Sequence, residues 1–282
     1  MIRAKKHFGQ HFLEPAWVTK VIRVVNPGTS DLFIEIGPGR GELTGALAAA
    51  AARVAAFEID SDLARVLLQS ADTGSGPPPN LTVVEGDFLE ATAVRIAEAL
   101  DGPGAEGAPA VRVAGNLPYN VAAPILFKLI ELYRGGLPFQ DATVMVQREV
   151  AERLCAAPGT RDYGVLTILA GRHASVERLL DLPPGAFRPM PAVYSTVVRL
   201  RFHPAAPPAR SEPTLEALVR AVFTRRRKTL SNALLAFPAA SRLPPADALA
   251  AAGIDARRRP ETLTAEEVAR LADVYTSITG SG

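Results

Sequence analysis

Four short apolar runs, each ending abruptly in residues suited to holding a ligand, constrain this chain more than any other feature. Residues 32–36, 54–57, 81–84 and 111–115 have strand length. Helix-forming stretches at 42–51 and 63–70 separate the first three. Alternation of this kind predicts an α/β fold, a mostly parallel sheet whose ligands bind at the carboxyl ends of the strands.

The strand ends carry the chemistry. The first run ends in Gly37-Pro38-Gly39-Arg40-Gly41. Glycines there let the backbone pass close to a ligand, with helix N–H groups nearby. The G-x-G-x-G spacing is one residue tighter than that of dinucleotide binders. The second run ends at Glu58, close to the ~20 residues past the loop where an acid meets a ribose hydroxyl pair. Asp60 and Asp62 are better placed to start the following helix, which leaves Glu58 for the ribose. The third ends in Glu85-Gly86-Asp87-Phe88, where Asp87 is placed to accept from an adenine amino group and Phe88 to pack on its ring.

The fourth run ends in Asn116-Leu117-Pro118-Tyr119. The Asn116 side-chain carbonyl and the Leu117 main-chain carbonyl are two acceptors for a planar exocyclic amine, Tyr119 offers a stacking face, and Pro118 stiffens the backbone. Each strand end taken alone is also an ordinary turn or helix start. Four such ends on one edge of one sheet are hard to obtain without a ligand.

Further along, helices are expected at 123–133 and from 147, and a fifth strand at 141–146. Two more strands, 173–182 and 195–202, are joined by proline-rich residues 183–191 and can pair as an antiparallel edge. After the linker at 204–208 only helices are expected, at 215–223, 229–236, 246–252 and 265–278. The domains are thus 1–204, in which 1–30 is an arm and a helix, and 205–282. The arm's Lys5-Lys6-His7 and Phe8-Gly9-Gln10-His11-Phe12-Leu13 fit either a tail or a flap over a ligand.

Charge separates the two parts. Residues 185–282 hold 14 Lys and Arg against 8 Asp and Glu, whereas the remainder holds 17 against 21. A basic end on a mildly acidic body suits a polyanion, with Arg225-Arg226-Arg227-Lys228 as the densest run. The opening residues show no apolar core of a secretory signal, and no stretch is apolar and long enough to span a bilayer. One cysteine excludes an internal disulfide, and His7, His11, His173 and His203 have no metal-ligand spacing. A cytoplasmic setting and no metal are expected.

Residues 5–13, 35–41, 58, 86–87, 116–119, 147–153 with 161–164, 187–198 and 225–232 together resemble, in order, one family. It is that of the 16S ribosomal RNA adenine N6,N6-dimethyltransferases, the enzymes linked to kasugamycin sensitivity. Asn-Leu-Pro-Tyr alone is shared with many N6-adenine methylases; the ordered set, over nearly the whole chain, is far more specific. The resemblance implies S-adenosylmethionine as methyl donor and a Rossmann-like, mostly parallel seven-stranded sheet with a small all-α C-terminal domain. It also implies four methyl transfers to two adjacent adenines near the 3′ end of 16S rRNA in the small (30S) subunit or its precursor, by a monomer.

By match, the cofactor would contact His11, Leu13, Gly37, Gly39, Glu58, Asp87, Phe88 and Asn116. Asn116, Leu117, Pro118 and Tyr119 would serve catalysis, with Phe187 on the other side of the base, and Arg225–Lys228 would bind RNA. The family usually carries Asn where this chain has His11, so only a main-chain role transfers there. The macrolide-resistance methylases of 23S rRNA share the core motifs, but residues 161–164, 225–232 and the long helical end favour the 16S enzymes. A non-catalytic assembly factor would have little reason to keep the full set. A nicotinamide-dependent dehydrogenase is disfavoured by the tight glycine spacing.

Overall fold

The computed structural model describes residues 10–69, 77–100 and 110–279, so the Lys5–Gly9 part of the arm lies outside the described residues. The chain divides into two units. One comprises residues 1–151 and 175–202, the other residues 152–174 and 203–282. The second unit therefore takes in residues 152–174, which the proline-rich linker at 204–208 had placed with the first.

The first unit opens with β1 (Phe12–Leu13) and α1 (Pro15–Val25). Then come β2 (Leu32–Ile36), α2 (Thr44–Ala50), β3 (Arg53–Glu58), α3 (Ser61–Gln69), β4 (Leu81–Glu85), α4 (Ala93–Ala99), β5 (Val111–Asn116), α5 (Ala122–Arg134) and β6 (Phe139–Gln147). The helix α6 (Arg148–Leu154) crosses the boundary between the units, and α7 (Val165–Gly171) follows. The chain returns as β7 (Ala174–Leu182), β8 (Phe187–Arg188) and β9 (Ser195–Phe202).

Seven strands form one sheet in the order β4-β3-β2-β5-β6-β9-β7. The pairs β2–β3, β3–β4, β2–β5 and β5–β6 are parallel, and β9 lies antiparallel to β6. The expected non-parallel edge is thus built by β9 and its neighbour β7. From β2 the chain steps outward to β3 and β4, then returns to β5 on the other flank of β2. The crevice at the carboxyl ends of β2 and β5 is the switch point at which open α/β sheets bind ligands.

The central strands are apolar because the sheet is covered. Phe33, Ile34, Val54, Ala55, Ala56, Val111, Val113 and Val144 are fully buried. At the opposite ends of β5 and β6 the buried Arg112 donates to Asp141 (3.0 and 3.1 Å) and Asp31 (2.7 Å) and to the carbonyls of Val25 and Asn26. Arg199 joins this group through Thr143 and the carbonyl of Val24. A buried guanidinium needs every donor matched, and here each nitrogen has a partner.

Three details depart from expectation. The helix predicted from Glu42 begins at Thr44, since residues 39–43 turn first. The helix α4 was not anticipated; Thr92 caps it, accepting from Arg95 N–H at 3.2 Å. A second, two-stranded sheet also forms, with Phe12 opposite Arg188 and Leu13 opposite Phe187.

The second unit is helical. Besides α7 it holds α8 (Glu212–Phe223), α9 (Leu230–Ala233), α10 (Pro245–Ala251) and α11 (Ala265–Thr279). Its two chain segments are stitched together: Tyr163 Oη donates to Leu263 O (2.7 Å), Gly159 N–H to Glu261 O (2.6 Å), and Arg172 pairs with Glu212. Leu215, Leu218, Val219 and Val222 make the buried face of α8, a 3–4 spacing that the sequence displays.

Candidate active site

A cavity of about 190 Å³ opens at the switch point of the first unit. Its wall includes His11, Leu13, Gly37, Gly39, Glu58, Asp87, Phe88 and Asn116–Tyr119, so eleven of the residues singled out from the sequence meet in one place.

The glycine loop sets the floor. Gly39 has φ of +62°, and a methyl group there would lie 3.2 Å from the Phe12 ring, so both conformation and space demand glycine. Arg40 reaches over the same ring, 4.0 Å from its centroid. The loop is tied to the second strand end by Glu58. One carboxylate oxygen accepts from Gly39 N–H and the other from Asp60 N–H, each at 2.9 Å. Every carboxylate oxygen keeps a second lone pair, so Glu58 remains competent to accept from a diol. Burial raises its pKa, an effect its two N–H partners offset in part.

Asp87 behaves similarly. One oxygen accepts from Leu89 N–H at 2.9 Å, which fixes the carboxylate at the head of a short 3₁₀ turn. Phe88 is buried edge-to-face against Phe57, with centroids 5.4 Å apart. It shapes the cavity as part of the core.

Gly115 makes the fourth strand end possible. A Cβ on it would fall 2.4 Å from Ile36 O, so the two central strands approach only because this residue is glycine. Asn116 follows, and its side-chain N–H donates to His11 O at 2.6 Å. With the nitrogen so engaged, the Asn116 Oδ1 is the atom left to accept. Leu117 N–H is anchored on Met145 O (3.1 Å), and Pro118 O receives Val121 N–H (3.1 Å) in the turn that starts α5. Tyr119 bonds through its hydroxyl to Ser195 Oγ at 2.7 Å, and burial raises its phenol pKa.

His11 ties three elements together. Its carbonyl holds Asn116. Its Nδ1 lies 2.7 Å from Pro189 O and, facing a carbonyl, carries the proton. Its ring stacks on Tyr119, with centroids 5.1 Å apart and planes at 26°. One face of Tyr119 is therefore covered by imidazole.

Phe187 is not part of this wall. It is fully buried, paired with Leu13 and packed among Val21, Met145, Leu182 and Val197. The role of a second stacking face that the sequence assigned to it has no support in this arrangement; Phe187 supports the cavity from behind. Of the basic run in the second unit, Arg226 donates to Thr160 O (3.0 Å) and pairs with Glu261 (3.5 Å), and Arg225 reaches Asn232 O (3.3 Å). Arg227 and Lys228 are exposed.

Two acids were given no site role from the sequence. Glu35 lies in β2, is buried at the cavity wall, and has one oxygen, Oε2, without a hydrogen-bond partner. Burial, with Glu42 and Glu58 nearby, pushes its pKa to about 8. Glu42 also lines the cavity, its pKa raised by burial. The signal was present: an acid within an otherwise apolar strand run is costly without a purpose.

The chain is 40% identical over 273 residues to the ribosomal RNA small subunit methyltransferase A of Pseudomonas fluorescens, covering 96% of this chain and 93% of that one. The protein of that name from Anaeromyxobacter sp. (strain K) is 41% identical over 274 residues, covering 96% and 93%. Among solved structures, a dimethyladenosine transferase from Plasmodium falciparum is similar with a TM-score of 0.71 at 26% identity, over 93% of this chain and 96% of that one. The 23S rRNA methyltransferase ErmE shares the fold, with a TM-score of 0.64 at 24% identity over 94% and 99%. A family description, ribosomal RNA adenine dimethylase, matches residues 1–277. This chain is a member of the ribosomal RNA adenine dimethylase family.

Proposed function

We propose that this protein uses S-adenosylmethionine to dimethylate N6 of two adjacent adenines near the 3′ end of 16S rRNA, in the small ribosomal subunit or its precursor. The observation that carries the reading is the Asn116 side chain. Its N–H is fixed on His11 O, so its carbonyl oxygen is held ready beside the Leu117 backbone at the cavity edge.

The cavity chemistry fits the donor. Glu42, Glu58 and Asp87 make the wall acidic, and Glu35, protonated in the donor-free protein, keeps an unsatisfied buried oxygen there. Such a wall suits a ligand bearing a sulfonium and an ammonium. Glu58 would hold the ribose, Asp87 the adenine amino group, and the backbone around Gly37 and Gly39 the methionine part. When bound, the donor supplies an electrophilic methyl group.

The protein's part is orientation. The N6 lone pair of adenine is delocalised into its ring, which makes the amine a poor nucleophile. In the first transfer Asn116 Oδ1 and Leu117 O accept the two N6 hydrogens and turn the lone pair toward the methyl group; in the second, one of these acceptors holds the single hydrogen that remains. As positive charge grows on N6 the same two dipoles hold it more strongly, which is stabilisation specific to the transition state. The proton leaves readily from the methylated, cationic nitrogen, so no strong base is required. Tyr119 gives the base a stacking wall worth about 1–3 kcal/mol, once the imidazole cedes it.

The deciding experiment is methyl transfer from labelled S-adenosylmethionine to 30S particles lacking the modification, with 50S particles alongside and products mapped by mass spectrometry. Dimethyladenosine at two adjacent adenines of 16S rRNA is the expected result. Label confined to 50S particles would replace this reading with that of a 23S methylase.

A further inference from the structure

We propose that the loop of residues 188–194 is the platform for the nucleotide flanking the target adenine, with Tyr194 stacking on that base. The proposal rests on the RNA-methylating function above and names a contact outside the donor cavity.

Methylation of an adenine requires that it leave its stack, and single-stranded bases removed from a stack are held on aromatic faces. Few faces are offered here. One side of Tyr119 is covered by His11. Phe187 is fully buried, and Phe57 and Phe88 are spent on each other in the core. Tyr133 and Phe202 likewise stack together, and Lys20 sits over Trp17. Among the described residues Tyr194, at 49% exposure, is the most exposed Phe, Tyr or Trp.

Its surroundings are unusual for a surface. Met190 (64%) and Val193 (43%) are exposed within the same short loop. Clustered apolar exposure of this kind marks a contact surface more often than chance. The loop is also held. Pro189 O takes His11 Nδ1 (2.7 Å), Tyr194 O takes Arg148 N–H (3.0 Å), and Pro191 is buried beneath. The next residue, Ser195, bonds to Tyr119 (2.7 Å). The platform is therefore tied to the catalytic tetrapeptide through two side chains, Ser195 and His11. Two prolines restrict it further, which lowers the entropy lost when a base docks. With one adenine presented to Asn116, the nucleotide on one fixed side of it in the strand lies on Tyr194.

The test compares wild type with Tyr194→Ala, Tyr194→Phe and Tyr194→Leu on unmodified 30S particles, with the donor Kd measured in parallel. Tyr194→Ala is expected to lose about tenfold in kcat/KM for the particle, mostly in KM, at unchanged donor Kd, the size expected of one stacked base. Tyr194→Phe should recover to within about twofold of wild type, and Tyr194→Leu should not. Full activity of the alanine variant would overturn the proposal, as would recovery by leucine, which points to an apolar protein contact. Failure of phenylalanine to recover would overturn it too, by assigning the role to the hydroxyl. Wild type that leaves 30S particles unmethylated would sink the parent function and this contact together, an outcome distinct from the other three.

Discussion

At the residue scale, Asn116 and Glu35 give the sharpest expectations. Asn116→Ala removes an acceptor whose orientation His11 O sets. Single-turnover transfer should fall by about 10²–10³, the usual cost of losing one transition-state dipole, while the donor Kd rises far less. A near-normal rate would remove Asn116 from the mechanism. Glu35 predicts a pH effect. Its carboxyl holds its proton to about pH 8 when folded, against an ordinary 4.5. Between those values the folded state binds more protons than the unfolded one, so stability falls as pH rises and levels off above about 8. Glu42 and Glu58 shift in the same direction. Thermal unfolding of donor-free protein should therefore show a midpoint that declines through this window, with a shallower decline in Glu35→Gln. An equal slope in the variant would place the linkage elsewhere.

Much of the candidate site's assembly was legible at this scale because its residues sit at strand ends, where register is fixed by the apolar runs. Gly37, Gly39, Glu58, Asp87 and Asn116 reach one cavity for that reason. Phe187 was not legible. Its burial depends on pairing with Leu13, 174 positions earlier, and nothing local announces such a partner. The stacking of His11 on Tyr119 is likewise a product of tertiary folding.

At the element scale, periodic segments were read correctly, and the two-residue strands and α4 were missed. The apolar runs of β2–β6 and the helices α5, α8 and α11 carry enough repeats to declare themselves. Two-residue strands such as β1 and β8 have no period to detect. The loop between α8 and α9 shows how composition can mislead about division of labour. Four successive cations look equivalent, yet Arg226 is engaged with Glu261 and Thr160 O. Replacing Arg227 and Lys228 by Gln should weaken rRNA binding and flatten its dependence on salt, by roughly one counterion per lost phosphate contact. Arg226→Ala should instead lower the unfolding temperature with a smaller effect on the salt slope. Equal salt slopes for the double variant and wild type would argue against an RNA role for the loop.

At the scale of the whole molecule, the second unit is discontinuous, and the proline-rich linker hides this. Residues 152–174 pack with a partner segment that begins at 203. Truncation after residue 204 looks benign from sequence, but it strips Tyr163, Ile168 and Leu169 of the segment that completes their unit. The fragment is expected to aggregate or to melt well below the full-length protein, measured by light scattering and circular dichroism. A fragment that melts cooperatively at the full-length temperature would contradict the division.

The same discontinuity sets an order of events during synthesis. A ribosome releases residues 152–174 before β7 and β9, and long before α8 or α11. Those early residues must wait, unsatisfied, while the sheet on either side of them in the chain is finished. Chains emerge from the amino end at about 5–20 residues per second, so the wait lasts several seconds. The nascent protein thus carries an apolar segment past the tunnel mouth until α8, against which α7 packs, has emerged.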